Sequence, residues 1–174
     1  VLRGGIIVDG TGKEPFEGDV AVSGDEIAAV GRVEGRGRAE VRVDGLHVAP
    51  GFIDIHSHSD FQLLLDSRAM SKVMQGVTTE VVGNCGMSPH PAPERVRRQL
   101  AEALGYAGFV EEVWDFETTG EYIARLEGRV SLNVVVLVGH GALRAAAVGF
   151  EARKASAEEI SEMRRLLGRS LDEG

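Results

Sequence analysis

Pro50-Gly51-Phe52-Ile53-Asp54-Ile55-His56-Ser57-His58-Ser59-Asp60 is the stretch that decides how this chain is read. Pro-Gly is a turn signal, and Phe52, Ile53 and Ile55 make an apolar run of the right length for a buried strand. The run then gives way to polar residues with histidines at i and i+2. Alternate residues of a strand share a face, so the two imidazoles converge at the strand's end. A bare His-x-His is more readily a solvated strand end than a ligand pair. Its place after a buried-looking strand, with Asp54 and Asp60 on either side, favours a metal. Asp54 also stands at i, i+2 from His56, where a carboxylate can support a ligand histidine or its neighbours.

Composition narrows the function classes. The chain has 174 residues, 43% of them apolar and 26% charged, which is ordinary for a globular protein. The net charge is −8, with 27 acidic residues against 19 basic ones. No basic stripe is evident, so a nucleic-acid partner is not expected. No apolar run approaches a membrane span, and no membrane partner is expected either. The single cysteine, Cys85, can form no internal disulfide, and a reducing, cytoplasmic location suits it.

Residues 1–50 read as short strands joined by tight turns such as Asp9-Gly10 and Asp44-Gly45, a small β-module. His47 lies within it as a surface or packing residue. After Pro50 the period changes. Leu63, Leu64, Leu65, Met70, Val73 and Met74 recur at helical spacing up to Gly76, with the methionines as core filler. Val77–Val82 reads as a β-branched strand ending in Gly83-Asn84-Cys85-Gly86. His90, between Pro89 and Pro91, reads as an exposed loop residue. Val96, Leu100, Ala103 and Leu104 form a helical face. Thr118 with Glu121 predicts a capping box, as does Ser156 with Glu159 before Ile160, Met163, Leu167 and Leu171. Asn133–Val138 reads as a further buried strand ending in Gly139-His140-Gly141.

The order after residue 50 is therefore an α/β alternation with a parallel sheet. Its three strands end in His56/His58, Cys85 and His140. In such folds the ligand site lies at the carboxyl ends of the strands. Taken singly, Cys85 is an inert buried thiol. At a strand end between glycines it becomes a candidate thiolate ligand. For His140 a surface-loop role and an active-site role are equally balanced.

Gly51-Phe52-Ile53-Asp54-Ile55-His56-Ser57-His58 resembles the first metal motif of the amidohydrolase superfamily. Gln75-Gly76-Val77-Thr78-Thr79, Val82-Gly83-Asn84-Cys85-Gly86 and Gly139-His140-Gly141-Ala142-Leu143-Arg144 are similar to motifs of the N-acyl-D-amino-acid deacylases (D-aminoacylases). The resemblance implies a small, partial β-sandwich module at 1–50 and the first βα units of a TIM-like barrel at 51–174. It implies zinc, one ion or two, with His56 and His58 at one metal position and Cys85 at a neighbouring or shared one. Asp54, Asp60 and His140 are then expected behind the ligands or toward the substrate. The implied reaction is hydrolysis of a small N-acyl-D-amino acid to a carboxylate and a free D-amino acid.

A closed barrel takes about 250 residues. The remainder of the polypeptide is therefore expected beyond residue 174, and the resemblance implies a general-base aspartate there. The 174 residues alone are expected to be inactive and, through the open edge of the Asn133–Val138 strand, to self-associate. Two alternatives stay open. One is another amidohydrolase of the dihydroorotase or hydantoinase kind. The other is a non-catalytic α/β fragment with an incomplete metal site.

Overall fold

The computed structural model describes residues 1–105 and 108–174. They fall into two units, Val1–Gly51 and Phe52–Gly174.

In the first unit, β1 (Leu2–Ile7), β2 (Phe16–Ser23), β3 (Glu26–Gly31), β4 (Val41–Arg42) and β5 (His47–Val48) form one five-stranded sheet in the order β3-β2-β1-β4, with β5 also on β1. β2 pairs with β1 and β3 antiparallel, whereas β4 and β5 join β1 parallel. Ile7 and Val20 are its buried large apolar residues. Arg3 does much of the fastening. Its guanidinium donates to Asp19 Oδ2 at 3.0 Å, to Glu40 Oε1 at 2.8 Å and to the Val33 carbonyl at 2.7 Å. The long connection from β3 to β4 is thereby pinned to the sheet. His47 is exposed on β5.

The second unit is mixed α/β, as expected. β6 (Phe52–Asp54), β7 (Val77–Val82) and β8 (Asn133–Val136) form a parallel sheet in that order. Around it run α1 (Gln62–Leu65), α2 (Met70–Val73), α3 (Glu94–Leu104), α4 (Thr119–Leu126), α5 (His140–Ala147) and α6 (Ala157–Asp172). Both predicted capping boxes form: Thr118 and Glu121 satisfy each other's backbone N–H at α4, and Ser156 and Glu159 do so at α6. The core joins Phe61, Leu63, Val82, Val96, Leu100, Trp114, Phe116, Tyr122 and Leu126. Phe61 is its hub, 4.6 Å from the Phe109 ring and 5.0 Å from the Trp114 ring.

Five expectations change. The strands are not buried on both faces. Phe52, Ile53 and Ile55 are 63%, 63% and 74% exposed, because among the described residues helices cover only one face of this sheet. The helical run 63–74 is broken into α1 and α2 by a turn in which Asp66 Oδ1 accepts from Arg68 N at 3.2 Å. Met70 and Met74 are consequently exposed rather than core filler. His90 is fully buried, not an exposed loop residue. Its ring stacks on Tyr122 at 4.9 Å, and Nδ1 lies 2.9 Å from Thr119 Oγ1. α5 was not anticipated as a helix at all.

Candidate metal centre

β6 ends at Asp54, and the chain then turns across the end of β7. Two bonds to the Ser57 backbone hold it there: Ser57 N donates to the Val81 carbonyl at 3.2 Å, and Asn84 Nδ2 donates to the Ser57 carbonyl at 3.2 Å. Phe61, wholly buried, anchors the far side of this turn, and Tyr122 Oη donates to the Asp60 carbonyl at 2.9 Å. A core aromatic and a tyrosine from α4 therefore set the path of residues 56–60.

Residues 55–60 lie beyond β6, so the strand geometry read from the sequence stops at Asp54. His56 and His58 lie on one side with their rings 5.5 Å apart. Cys85 comes to the same place from the end of β7, with Sγ 3.1 Å from His56 Nε2. One donor atom from each of His56, His58 and Cys85 lies within 4.8 Å of the other two. Among the described residues these three form the one cluster able to hold a metal ion.

The loop that carries Cys85 is built by close backbone approach. A Cβ on Gly83 would meet the Leu137 carbonyl oxygen at 2.2 Å, and one on Gly139 would meet the Gly86 oxygen at 2.5 Å. Both glycines are required by space, and Gly83 also by its φ of +81°. Cys85 itself adopts φ +58°, a left-handed conformation that costs an L-residue about 1–2 kcal/mol. Strain of this kind persists where the surroundings hold it, often at functional sites.

Asp54 and Asp60 support the backbone and do not reach the donor cluster. Asp54 Oδ1 accepts from the His56 amide N–H at 3.2 Å, so it orders the main chain and not the imidazole. Its Oδ2 takes Lys72 Nζ at 2.6 Å, and this bond, followed by the His56 amide, holds the carboxyl below its ordinary range. Asp60 is 1% exposed, and Oδ1 accepts from Gly83 N at 2.8 Å. Burial pushes its pKa up to about 6, against the pull of the backbone donors. His140 opens α5, exposed, and lines with Cys85 an open cavity of about 490 Å³.

Two residues with clear roles here were missed from the sequence, Lys72 and Glu80. Glu80 on β7 is 0% exposed. Its Oε1 accepts from Ser57 Oγ at 2.7 Å and Ser59 Oγ at 2.6 Å, and lies 2.9 Å from Lys72 Nζ. Burial alone would lower the Lys72 ammonium, but Asp54 and Glu80 together raise it above its ordinary value. The available signal was the pair of serines interleaved with the histidines, whose opposite face needed a partner.

A model of the amidohydrolase family matches residues 41–173. The chain belongs to the amidohydrolase family. It is 38% identical over 176 aligned positions to an N-acyl-D-aspartate deacylase of Alcaligenes xylosoxydans xylosoxydans, across all of this chain and 34% of that protein. Among solved structures it is similar to a D-aminoacylase with a binuclear metal centre, at TM-score 0.85 and 36% identity over 99% of this chain and 36% of that one. It is also similar to an N-acyl-D-glutamate deacylase from Bordetella bronchiseptica complexed with zinc and a phosphonate mimic of the tetrahedral intermediate. That match has TM-score 0.86 and 35% identity over 98% of this chain and 35% of that one. This amidohydrolase chain spans about a third of the length of these relatives.

Proposed function

We propose that the chain supplies part of the metal centre of a zinc-dependent deacylase that hydrolyses the amide bond of N-acyl-D-amino acids. The observation that carries this reading is the convergence of His56, His58 and Cys85 donors within 4.8 Å. Two imidazoles and a thiolate suit zinc, a borderline-soft ion, better than they suit magnesium or calcium, which prefer oxygen. His56, His58 and Cys85 are the residues that would hold it, as one ion or as part of a pair. Zinc supplies hydroxide near neutral pH and polarises the amide oxygen.

The chain's own residues hold and orient that centre. Asp54 is bound to Lys72 and the His56 amide, and Asp60 is buried away from solvent with Oδ1 on the Gly83 amide, so neither is placed to take a proton from the attacking water. We place the general base, and the further strands that would close a TIM-like barrel over the open face of β6–β7–β8, on polypeptide outside these 174 residues. The exposed Ile53 and Ile55 on that face fit such a cover. A reducing, cytoplasmic setting suits a thiolate ligand. Among the described residues no helix is long and apolar enough to cross a membrane.

The relatives named for N-acyl-D-aspartate and N-acyl-D-glutamate support the substrate class. A dihydroorotase- or hydantoinase-like centre would use a modified lysine as bridge. Here a thiol faces His56, and Lys72 is paired with two carboxylates. The test is hydrolysis of N-acetyl-D-aspartate, N-acetyl-D-glutamate and N-acetyl-D-leucine, with their L-enantiomers, by the full polypeptide carrying these residues. Turnover of D-substrates only, abolished by a chelator and restored by zinc, is the expected result. Cyclic amide hydrolysis with no action on the linear D-substrates would overturn the reading.

A further inference from the structure

The histidine side of residues 56–59 is open, and the serine side is clamped. Ser57 and Ser59, which alternate with His56 and His58 along the segment, both turn to Glu80. Both hydroxyls donate to one oxygen, Glu80 Oε1, at 2.7 and 2.6 Å. Lys72 Nζ sits 2.9 Å from that same oxygen and 2.6 Å from Asp54 Oδ2. The other oxygen of Asp54 accepts from the His56 amide. One cation from α2 thus ties two carboxylates, from β6 and β7, that between them hold three points of the ligand segment: the His56 amide and the hydroxyls on either side of His58.

We infer that Glu80 and Lys72 are positioning residues that fix the spacing of His56 and His58 for the metal. The inference rests on the metal-centre reading above and extends it to side chains that touch no donor atom. A fully buried carboxylate is costly unless it is paired and hydrogen-bonded. This one is partnered by one cation and two hydroxyls, all bearing on the same four residues. If its purpose were packing alone, an apolar side chain on β7 would serve as well. Metal sites in which such supporting partners are removed lose about 10- to 100-fold in metal affinity.

Cobalt(II) is the probe, because its d–d bands and its thiolate-to-cobalt charge-transfer band report coordination geometry independently of turnover. It is titrated into the full polypeptide, the Ser57→Ala/Ser59→Ala double variant, Glu80→Gln and Cys85→Ser, each with a melting curve. The double variant keeps the Lys72–Glu80 pair and loses both hydroxyl tethers. We expect it to bind cobalt about 10- to 100-fold more weakly, with shifted d–d bands, while still folded. Glu80→Gln keeps an acceptor oxygen of the same reach and gives a smaller loss with a measurable band shift, which decides the matter if the double variant does not fold. Lowered melting temperatures with cobalt affinity and spectrum unchanged from the wild type in the folded variants would overturn the inference and leave the metal centre standing. A wild-type protein that binds no cobalt, or shows no band sensitive to Cys85→Ser, would overturn the metal-centre reading itself.

Discussion

The two faces of the β6–β7–β8 sheet differ in what covers them. On the helix side, Glu80 and Val82 are fully buried, and the aromatic cluster around Phe61 and Trp114 seals the layer. On the other side, Ile53, Ile55, Val135 and Leu137 are 63%, 74%, 47% and 41% exposed. The donors His56 and Cys85 are exposed as well, whereas the groups that hold their loops in place lie within the packed layer. The supporting groups are packed, and the donor atoms of the proposed metal centre are accessible. Substitutions on the two faces should therefore differ sharply in cost.

The largest loss is expected from Lys72→Met, which strands the buried Glu80 carboxylate without its cation. Removing one partner of a buried pair costs about 3–5 kcal/mol. Urea unfolding of the variant against the wild type measures it. A loss below about 1 kcal/mol, the range of a surface ion pair, would mean that the helix-covered face is wetter than its geometry implies.

His90 gives the same face an acid sensitivity. Burial lowers its imidazole to about 4 from the ordinary 6.5, with the Glu173 carboxylate opposing. The folded pKa lies below the unfolded one, so the stability is present above pH 6.5 and is lost as pH falls toward 4. The full span is about 3 kcal/mol. Asp60 works in the opposite sense between about pH 6 and its ordinary value of 3.8, because its raised carboxyl takes up a proton in the folded state first. The difference between wild type and His90→Gln isolates the histidine. Its stability advantage should shrink steadily from pH 6.5 to 4, and parallel curves would contradict the assignment.

Thr118→Ala removes the hydroxyl that accepts from Glu121 N at 3.2 Å and should cost about 1 kcal/mol in the same unfolding assay. On the open face, Ile55→Ser should change the stability of residues 1–174 by no more than about 0.5 kcal/mol. A loss above about 2 kcal/mol there would mean that the face is already covered in solution.

The parts of the fold legible in the sequence were those governed by local rules. His56 and His58 were read as a pair from their i, i+2 spacing, although β6 itself ends at Asp54. Thr118/Glu121 and Ser156/Glu159 cap helices because the reciprocal bonds span only three residues. Gly83, read as one of the glycines flanking Cys85, stands where backbone meets backbone. What was not legible depends on partners far along the chain. His90 looked exposed among its prolines, yet Thr119 and Tyr122 enclose it. Glu80 drew no reading of its own within the Val77–Val82 strand, and only Ser57, Ser59 and Lys72 make its burial tolerable. α5 did carry a local signal, since Ala142, Leu143, Ala145, Ala146 and Ala147 are strong helix formers, but the Gly-His-Gly before them drew the reading toward a strand end. The exposed face of β6 was misread because an apolar run shows hydrophobicity, not which layer covers it.

The most direct test of the central claim, that His56, His58 and Cys85 hold one metal centre, is zinc K-edge X-ray absorption on the zinc-loaded full polypeptide and its Cys85→Ser variant. The account predicts a sulfur shell near about 2.3 Å together with nitrogen at about 2.0–2.1 Å, and loss of the sulfur shell alone in the variant. A wild-type spectrum with only nitrogen and oxygen scatterers, unchanged by Cys85→Ser, would contradict it.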